Sequence, residues 1–249
     1  MNSYKNSIVG FVTVRASSSR LPNKCLLPFG KLRVLNHIIR RAIFYGIEPI
    51  ICTSTDYSDN IIEKISKEEG VRCFRGSLQN KLKRWLDCAE YFNIDRFHTI
   101  DADDPFFDGE EMKKSIELLE KENLDMVCPT EVSSAGGASV GYSLTTSIVK
   151  RACKGLEDDA DTEMMWHYIE KIPELKKTIL KNLVKYDISA RMTLDYHEDY
   201  IFLEAIRLIL GNMASQEEIY QMLVNNTDLL SINSFRTEDW KNNQQIKLN

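Results

Sequence analysis

Three cations, three consecutive serines and a proline stand in "VRASSSRLPNK" (residues 14–24), at the end of the apolar run "SIVGFVTV". Arg15, Ser18, Arg20 and Lys24 offer guanidinium, hydroxyl and ammonium donors. A chain of phosphates needs such donors, and an arginine can grip two oxygens at once. Cations flank the serine run on both sides, and Pro22 stiffens the loop just before Lys24. A plain solvated loop is the alternative. A second cluster, "TIDADDPFFD" (99–108), gathers Asp101, Asp103, Asp104 and Asp108. Its carboxylates suit a hard cation such as Mg²⁺, which takes one or two protein carboxylates and completes its shell with phosphate oxygens and water. Turn formation and helix capping are the competing uses, and Asp108 is expected to serve as a cap or turn residue. A third candidate, Asp195 in "RMTLDYHED", falls between an expected strand and an expected helix, where N-capping is equally open.

These residues need elements to bring them together. Apolar runs alternate with helix-period stretches along the first half of the chain. "SIVGFVTV", "PIICTST", "VRCF", "RFHTIDA" and "LDMVCPT" read as strands. Between them, "VLNHIIRRAIFYG", "DNIIEKISKEEG", "SLQNKLKRWLDCAEYF" and "GEEMKKSIELLEKEN" read as amphipathic helices, two of them stopped by Gly46 and Gly70. The order implies an α/β fold with a mainly parallel sheet covered on both faces. Ligands bind beyond the carboxyl ends of such strands, so "RASSSRLPNK", "TSTDYSD" and "DADDPFFD" are expected on one rim. After Thr130 the pattern changes. "EVSSAGGASVGYSL" reads as a glycine-bearing loop and strand, "DTEMMWHYIEK" as a helix, and "TILKNLVKYDI" and "RMTLDY" as strands. "HEDYIFLEAIRLILGN" and "SQEEIYQMLVNN" read as closing helices. With no repeat or linker, residues 1–249 are expected to form one domain, with residues 131–187 as an inserted, substrate-facing segment between parts 1–130 and 188–249.

Composition narrows the partners. Net charge is −5, which gives no global basic footprint for nucleic acid or an anionic membrane. Residues 1–48 nevertheless hold eight Lys or Arg against one acid, Glu48, a local surplus that suits a small anionic ligand. The six cysteines are scattered without C-x-x-C spacing, which argues against zinc and for free thiols in a reduced cytoplasm. No run is long enough for a signal peptide or a membrane span. There is no G-x-G-x-x-G after the first strand and no G-x-x-x-x-G-K-[ST], which disfavours dinucleotide-binding and P-loop readings. His37, His98, His167 and His197 are expected to be structural, Trp85 and Trp166 to be packing residues, and "NKLKR" to be a solvated helix face.

The cationic stretch "RASSSRLPNKCL" resembles the R-x-x-S-x-R-L-P-x-K-x-L signature of the CMP-sugar cytidylyltransferases, with Arg15, Ser18, Arg20, Leu21, Pro22, Lys24 and Leu26 in register. These include the acylneuraminate and 3-deoxy-manno-octulosonate enzymes and the spore-coat polysaccharide group, to which this chain is most similar. "CTSTDYSD", "VRCFRGSLQNKLKRW", "TIDADDPFFD" and "RMTLDYHED" follow in the family's order, so the resemblance covers roughly residues 8–130 and 188–206. It implies a Rossmann-like nucleotide-diphosphosugar transferase fold and transfer of CMP from CTP to an acidic sugar, with loss of pyrophosphate, for surface polysaccharide or glycoconjugate synthesis. Carried over by position, Arg15, Ser18, Arg20 and Lys24 hold the triphosphate, with Arg15, Arg20 and Lys24 as the catalytic cations. Thr53, Ser54, Arg75 and Ser77 lie near the nucleoside, and Asp103 and Asp195 hold Mg²⁺.

The acceptor is expected against Gly136, Gly137 and Tyr142, with a surface loop as the alternative use of the glycines. A homodimer through the poorly matched 130–187 segment rests on the resemblance alone. Three stretches depart from the family. Asn23 replaces a frequent glycine, Asp101 and Ala102 replace a glutamine–glycine pair, and Lys81 and Lys83 stand where spore-coat relatives often carry an acid. Two other functions stay open at this point: transfer to a phosphorylated or phosphonate acceptor, and nucleotide binding without catalysis.

Overall fold

A computed structural model describes residues 8–18, 20–134, 136–137, 139–181 and 188–246. Five strands of the first half appear where apolar runs fall: β1 (Ile8–Thr13), β4 (Ile47–Ser54), β5 (Arg72–Gly76), β6 (Arg96–Asp101) and β7 (Met126–Cys128). A small antiparallel pair, β2 (Pro28–Phe29) and β3 (Leu32–Arg33), follows the cationic loop. The intervening helices are α1 (Val34–Phe44), α2 (Asn60–Glu68), α3 (Lys81–Phe92) and α4 (Gly109–Lys121). Side chains begin two of them. Asn80 accepts from the Lys83 N–H at 2.9 Å, and Asp108 accepts from the N–H groups of Glu110 and Glu111 at 3.1 and 3.0 Å, the capping role expected for it.

Described residues after Thr130 contribute strands to the same sheet. They supply α5 (Glu131–Ser134), β8 (Ser143–Thr145), α6 (Thr146–Cys153), α7 (Met165–Ile169) and β9 (Lys177–Ile179). The main sheet has the order β5-β4-β1-β6-β8-β7-β9, parallel except for β8, which runs antiparallel between β6 and β7. Of the strand expected over "TILKNLVKYDI", the described residues show Lys177–Ile179, and residues 182–187 lie outside them.

Two cores follow from the alternation of side chains along the strands. Phe11, Ile50 and Phe97 pack with Trp85, Ile148 and Ile169 of α3, α6 and α7. On the other face, Val12, Ile51 and Ile100 pack with Ile38, Ile62 and Ile116 of α1, α2 and α4. Phe202 of α8 (His197–Leu210) and Ile219 of α9 (Gln216–Asn225) join that second core. A last helix, α10 (Arg236–Ile246), is absent from the sequence reading. It is polar nearly all round, and polar contacts hold it: Arg236 pairs with Glu198 at 2.8 Å, and the Arg191 guanidinium sits 5.7 Å from the Trp240 ring centre. Among the described residues no helix is long and apolar enough to cross a membrane.

The sheet also fixes where a ligand sits. From β1 the chain moves one way to β4 and β5, then returns to place β6 on the other side of β1. The crevice outside the carboxyl ends of β1 and β6 is therefore a topological switch point. Thr13 is in register with Asp101 there, so the cationic loop and the "DADDP" turn leave the sheet side by side.

Candidate active site

The site is built from three chain segments. The first is the cationic loop. Asn23 takes the left-handed conformation (φ 55°), which glycine enters freely and asparagine tolerates, so the local backbone explains why glycine and Asn23 can occupy this position. The Lys24 N–H bonds Leu21 O at 3.2 Å across Pro22, and Lys24 opens a short 3₁₀ turn, Lys24–Leu26. The second segment is the turn after β6, where Ala102 N–H reaches back to Thr13 O at 3.2 Å. The third runs through "RMTLDY". Contrary to expectation it is not a strand: its N–H groups go singly to different partners, Met192 to Gly136 O at 2.9 Å and Leu194 to Asp103 O at 2.7 Å.

These contacts bring Asp195 beside Asp103. Lys24 Nζ lies 2.7 Å from Asp103 Oδ2 and 2.9 Å from Asp195 Oδ1, and Arg20 Nη2 lies 2.7 Å from the same Asp195 oxygen. Asp195 does not cap α8, because Tyr196 precedes the helix. Its backbone N–H and that of Tyr196 both donate to Asp199 at 2.9 Å. Behind it, Arg191 donates to Asp199 at 2.8 Å and to Asp195 at 3.4 Å. Asn233 Nδ2 closes the buried network on Asp199 at 3.0 Å. Three guanidinium groups, of Arg20, Arg191 and Arg236, surround the Tyr196 ring at 5.7, 5.4 and 5.0 Å.

Charge follows this geometry. Burial works to lower the Lys24 pKa, but the Asp103 and Asp195 carboxylates outweigh it and hold the ammonium above its ordinary range. Burial works to raise Asp103, and the Lys24 charge and hydrogen bond bring it below the ordinary carboxylate range. The neighbouring Asp104 goes the other way. It is 7% exposed, and burial together with the charges of Asp103 and Asp101 pushes it well up.

Asp103 and Asp195 are the residues that suit a magnesium ion. Among the described residues no group of three or more His, Cys, Asp or Glu forms a metal cage. Two carboxylates converging on one point are the donor set expected where a nucleotide's phosphates complete the shell. The donor chemistry fits.

A cleft of about 840 Å³ opens beside this cluster. Arg20, Asp103, Asp104 and Asp195 line one end. The expected acceptor residues Gly136, Gly137 and Tyr142 also line it. The glycines answer to the chain itself: Gly136 has φ +91°, and a Cβ on Gly137 would fall 2.7 Å from Val132 O. All three tryptophans of the chain, Trp85, Trp166 and Trp240, face the cleft. Trp85 is also the packing residue expected, with Nε1 bonded to Thr13 Oγ1 at 2.9 Å.

Among the other expected site residues, Arg15, Ser54, Arg75 and Ser77 have polar groups engaged within the chain. Arg15 donates to Leu78 O at 2.8 Å and pairs with Glu163 at 3.2 Å. Ser18 is half-buried. Ser54 binds Asp59, which also accepts the Ala16 N–H at 2.7 Å, while Thr53 is buried in β4 with its hydroxyl unpaired among the described residues. Arg75 spends its donors on Ser54 O, Asn60, Glu63 and Asp56 O at 2.7–2.9 Å. Ser77 Oγ accepts from the Asn80 N–H at 3.0 Å, next to the start of α3. None of these six residues borders the cleft, although Arg15's partner Glu163 does.

"NKLKR" is not simply a solvated face. Lys81 is 8% exposed, borders the cleft and reaches Asp101 at 3.3 Å. Helical spacing carried the signal, since Lys81 lies four residues before Trp85 on the buried side of α3. Lys83 does behave as a helix-surface residue, paired with Asp87 at 2.9 Å. His37 and His98 are buried in the interior, where burial lowers each to about 4.

The chain is similar to known proteins in sequence and in fold. The chain is 28% identical over 237 residues to the spore coat polysaccharide biosynthesis protein SpsF of Bacillus subtilis, covering 90% of this chain and 96% of that protein. A cytidylyltransferase structure from Leptospira borgpetersenii superposes with a TM-score of 0.77 at 21% identity, covering 90% of this chain and 95% of that one. A CMP:2-keto-3-deoxy-manno-octonic acid synthetase complexed with CTP has a TM-score of 0.61 at 12% identity, covering 82% and 99%. A family model for cytidylyltransferases matches residues 9–198, a span that takes in the cationic loop, the turn after β6 and Asp195. The chain belongs to the cytidylyltransferase family and is a nucleotidyltransferase.

Proposed function

We propose that this enzyme transfers CMP from CTP to an acidic sugar, with release of pyrophosphate, in a Mg²⁺-dependent reaction that serves surface polysaccharide or glycoconjugate synthesis. The observation that carries the reading is the meeting of Lys24 and Arg20 with Asp103 and Asp195 at the switch point of the sheet. Arg20 Nη1 is buried and has no hydrogen-bond partner among the described residues, a donor suited to a phosphate oxygen. The SpsF relative, named for polysaccharide synthesis, and the CTP-bound structural neighbour support the substrate classes.

In this mechanism Arg15, Ser18, Arg20 and Lys24 hold the triphosphate, and positioning and charge stabilisation do most of the catalysis. An acceptor hydroxyl oxygen bonds to the α-phosphorus in line. The bond from that phosphorus to the bridging oxygen breaks, pyrophosphate leaves with the electron pair, and the hydroxyl proton is released. Arg20 and Lys24 neutralise the charge growing on the departing pyrophosphate. Asp103 and Asp195 would hold a magnesium ion, which would supply Lewis-acid stabilisation of phosphate charge. Gly136, Gly137 and Tyr142 face the acceptor, and Thr53, Ser54 and Ser77 support the nucleoside end, while Arg75 braces the end of β4 against the start of α2. The proposal includes a cytoplasmic homodimer, a setting that suits six unbridged cysteines.

Pyrophosphate release measured with each nucleoside triphosphate and Mg²⁺ tests the reading, with products identified by mass spectrometry. CTP with a sugar acid is expected to give the CMP conjugate. Conjugates formed only from another nucleotide, or only with phosphorylated or phosphonate acceptors, would contradict it.

A further inference from the structure

The two lysines that face the cluster of acids differ in how well they are satisfied. Lys24 has carboxylate oxygens at 2.7 and 2.9 Å. Lys81 is more buried, its side chain 10% exposed against 16% for Lys24, yet among the described residues its one hydrogen bond is to Asp101 Oδ1 at 3.3 Å. Charge-assisted N–H···O contacts ordinarily measure about 2.7–2.9 Å, and an ammonium carries three donors. Donors of a buried ammonium are costly to leave unmet. Lys81 lines the cleft, so its unused donors are available to an oxygen bound there.

Its position is well fixed. Asn80 Oδ1 caps α3 and accepts from Thr162 Oγ1 at 3.0 Å, while Leu82 N–H donates to the same threonine oxygen at 2.9 Å. The Lys81 stem then passes Trp85, whose ring centre lies 5.1 Å from Nζ. Burial works against the charge, but Asp101 and Glu163 keep the ammonium above its ordinary range. Asp101 ends β6, two residues before Asp103, so Lys81 stands at the next step along the rim from the Arg20–Lys24 cations. Tyr142 and Trp166 line the same cleft.

We propose that Lys81 binds the carboxylate of the acceptor sugar acid and so fixes which face of the acceptor meets the α-phosphate. This rests on the reaction proposed above. Arg20 and Lys24 answer to the phosphates, and Lys81 is a separate cation with donors to spare. Asp101, 40% exposed at its side chain, orients the ammonium and offers an acceptor for a neighbouring sugar hydroxyl.

The test is equilibrium binding by calorimetry, on the full chain with Mg²⁺ and unreactive α,β-methylene CTP. The probes are 3-deoxy-manno-octulosonate and N-acetylneuraminate, each beside its carboxamide. Wild type is expected to prefer at least one acid over its amide by about 10- to 100-fold, the range of one charge-assisted hydrogen bond. Lys81→Met and Lys81→Gln are expected to bind acid and amide alike, and Lys81→Arg to restore the preference. Affinity for the CTP analogue should stay within about threefold in all of them. A wild type that binds neither acid, or does not prefer acid to amide, overturns the proposal. So does a Lys81→Met or Lys81→Gln variant that keeps the preference, or one that loses the nucleotide equally. Binding needs no turnover, so an intact acid preference without CMP transfer would count against the proposed reaction alone.

Discussion

Lys24 Nζ and Asp103 Oδ2 lie 2.7 Å apart across 79 residues of sequence. The contact joins the loop after β1 to the turn after β6, and Asp195 reaches the same ammonium from a third segment. A cation held between two carboxylates neutralises the pocket that, in the proposed reaction, takes up phosphate and metal. On that proposal, replacing Lys24 removes both the neutralisation and a phosphate donor. Lys24→Ala should lower turnover by about 10²–10³, the usual cost of losing one electrostatic group at a reacting centre. Steady-state pyrophosphate release checks this.

The two carboxylates should separate in their effects. Asp195 is 2% exposed and faces Arg20, Lys24 and Arg191. Asp195→Ala leaves buried positive charge uncompensated, which costs about 3–5 kcal/mol, or on the order of 10 °C in Tm for a chain this size. Asp103 is more open, so Asp103→Asn should lose activity with a much smaller change in Tm. Calorimetric melting beside turnover distinguishes the two. Equal Tm losses would contradict the burial argument.

Arg75 should act on stability more than on nucleotide affinity. Its guanidinium ties the end of β4 to the start of α2 through four partners. Arg75→Ala is expected to lower Tm by several degrees while the KM for CTP changes less than about threefold. A large rise in KM at unchanged Tm would instead put Arg75 on the nucleoside.

His37 is predicted to stay neutral well into the acid range. Burial lowers it to about 4, outweighing the help of its bond to Pro105 O at 2.8 Å. The unfolded ring titrates near 6.5. Below that pH the unfolded chain takes up a proton that the folded chain refuses, so this group's share of stability is intact above about 6.5 and is lost as pH falls toward 4. NMR titration should give a His37 midpoint near 4, and His37→Gln should flatten the fall in Tm across that window. A midpoint near 6.5 would contradict it.

The regular elements were legible because their cause is local. The apolar run of β1, the helical period of α1 and the glycines after α1 and α2 each record burial or a chain reversal in a few neighbouring residues. The phosphate-type loop was legible for a similar reason, as a dense set of donors. What escaped depended on partners distant in sequence. "RMTLDY" has strand-like alternation, yet its backbone bonds to Gly136 and Asp103, on two different segments, instead of to one neighbouring strand. Helix α10 has no apolar stripe to announce it, because arginine–aromatic and ion-pair contacts anchor it. Lys81 looked like a surface charge because its neighbour Lys83 is one. Only the placement of Trp85 and Asp101 shows that its head turns inward.

Pyrophosphate release from CTP, with Mg²⁺ and a sugar-acid acceptor, tests the shared site most directly when wild type is run beside Lys24→Ala, Asp103→Asn and Asp195→Asn. Wild type should turn over, and each variant should fall by about a hundredfold or more. Turnover at the wild-type rate in any of the three would mean that the cationic loop and the two distant acids do not serve one nucleotide.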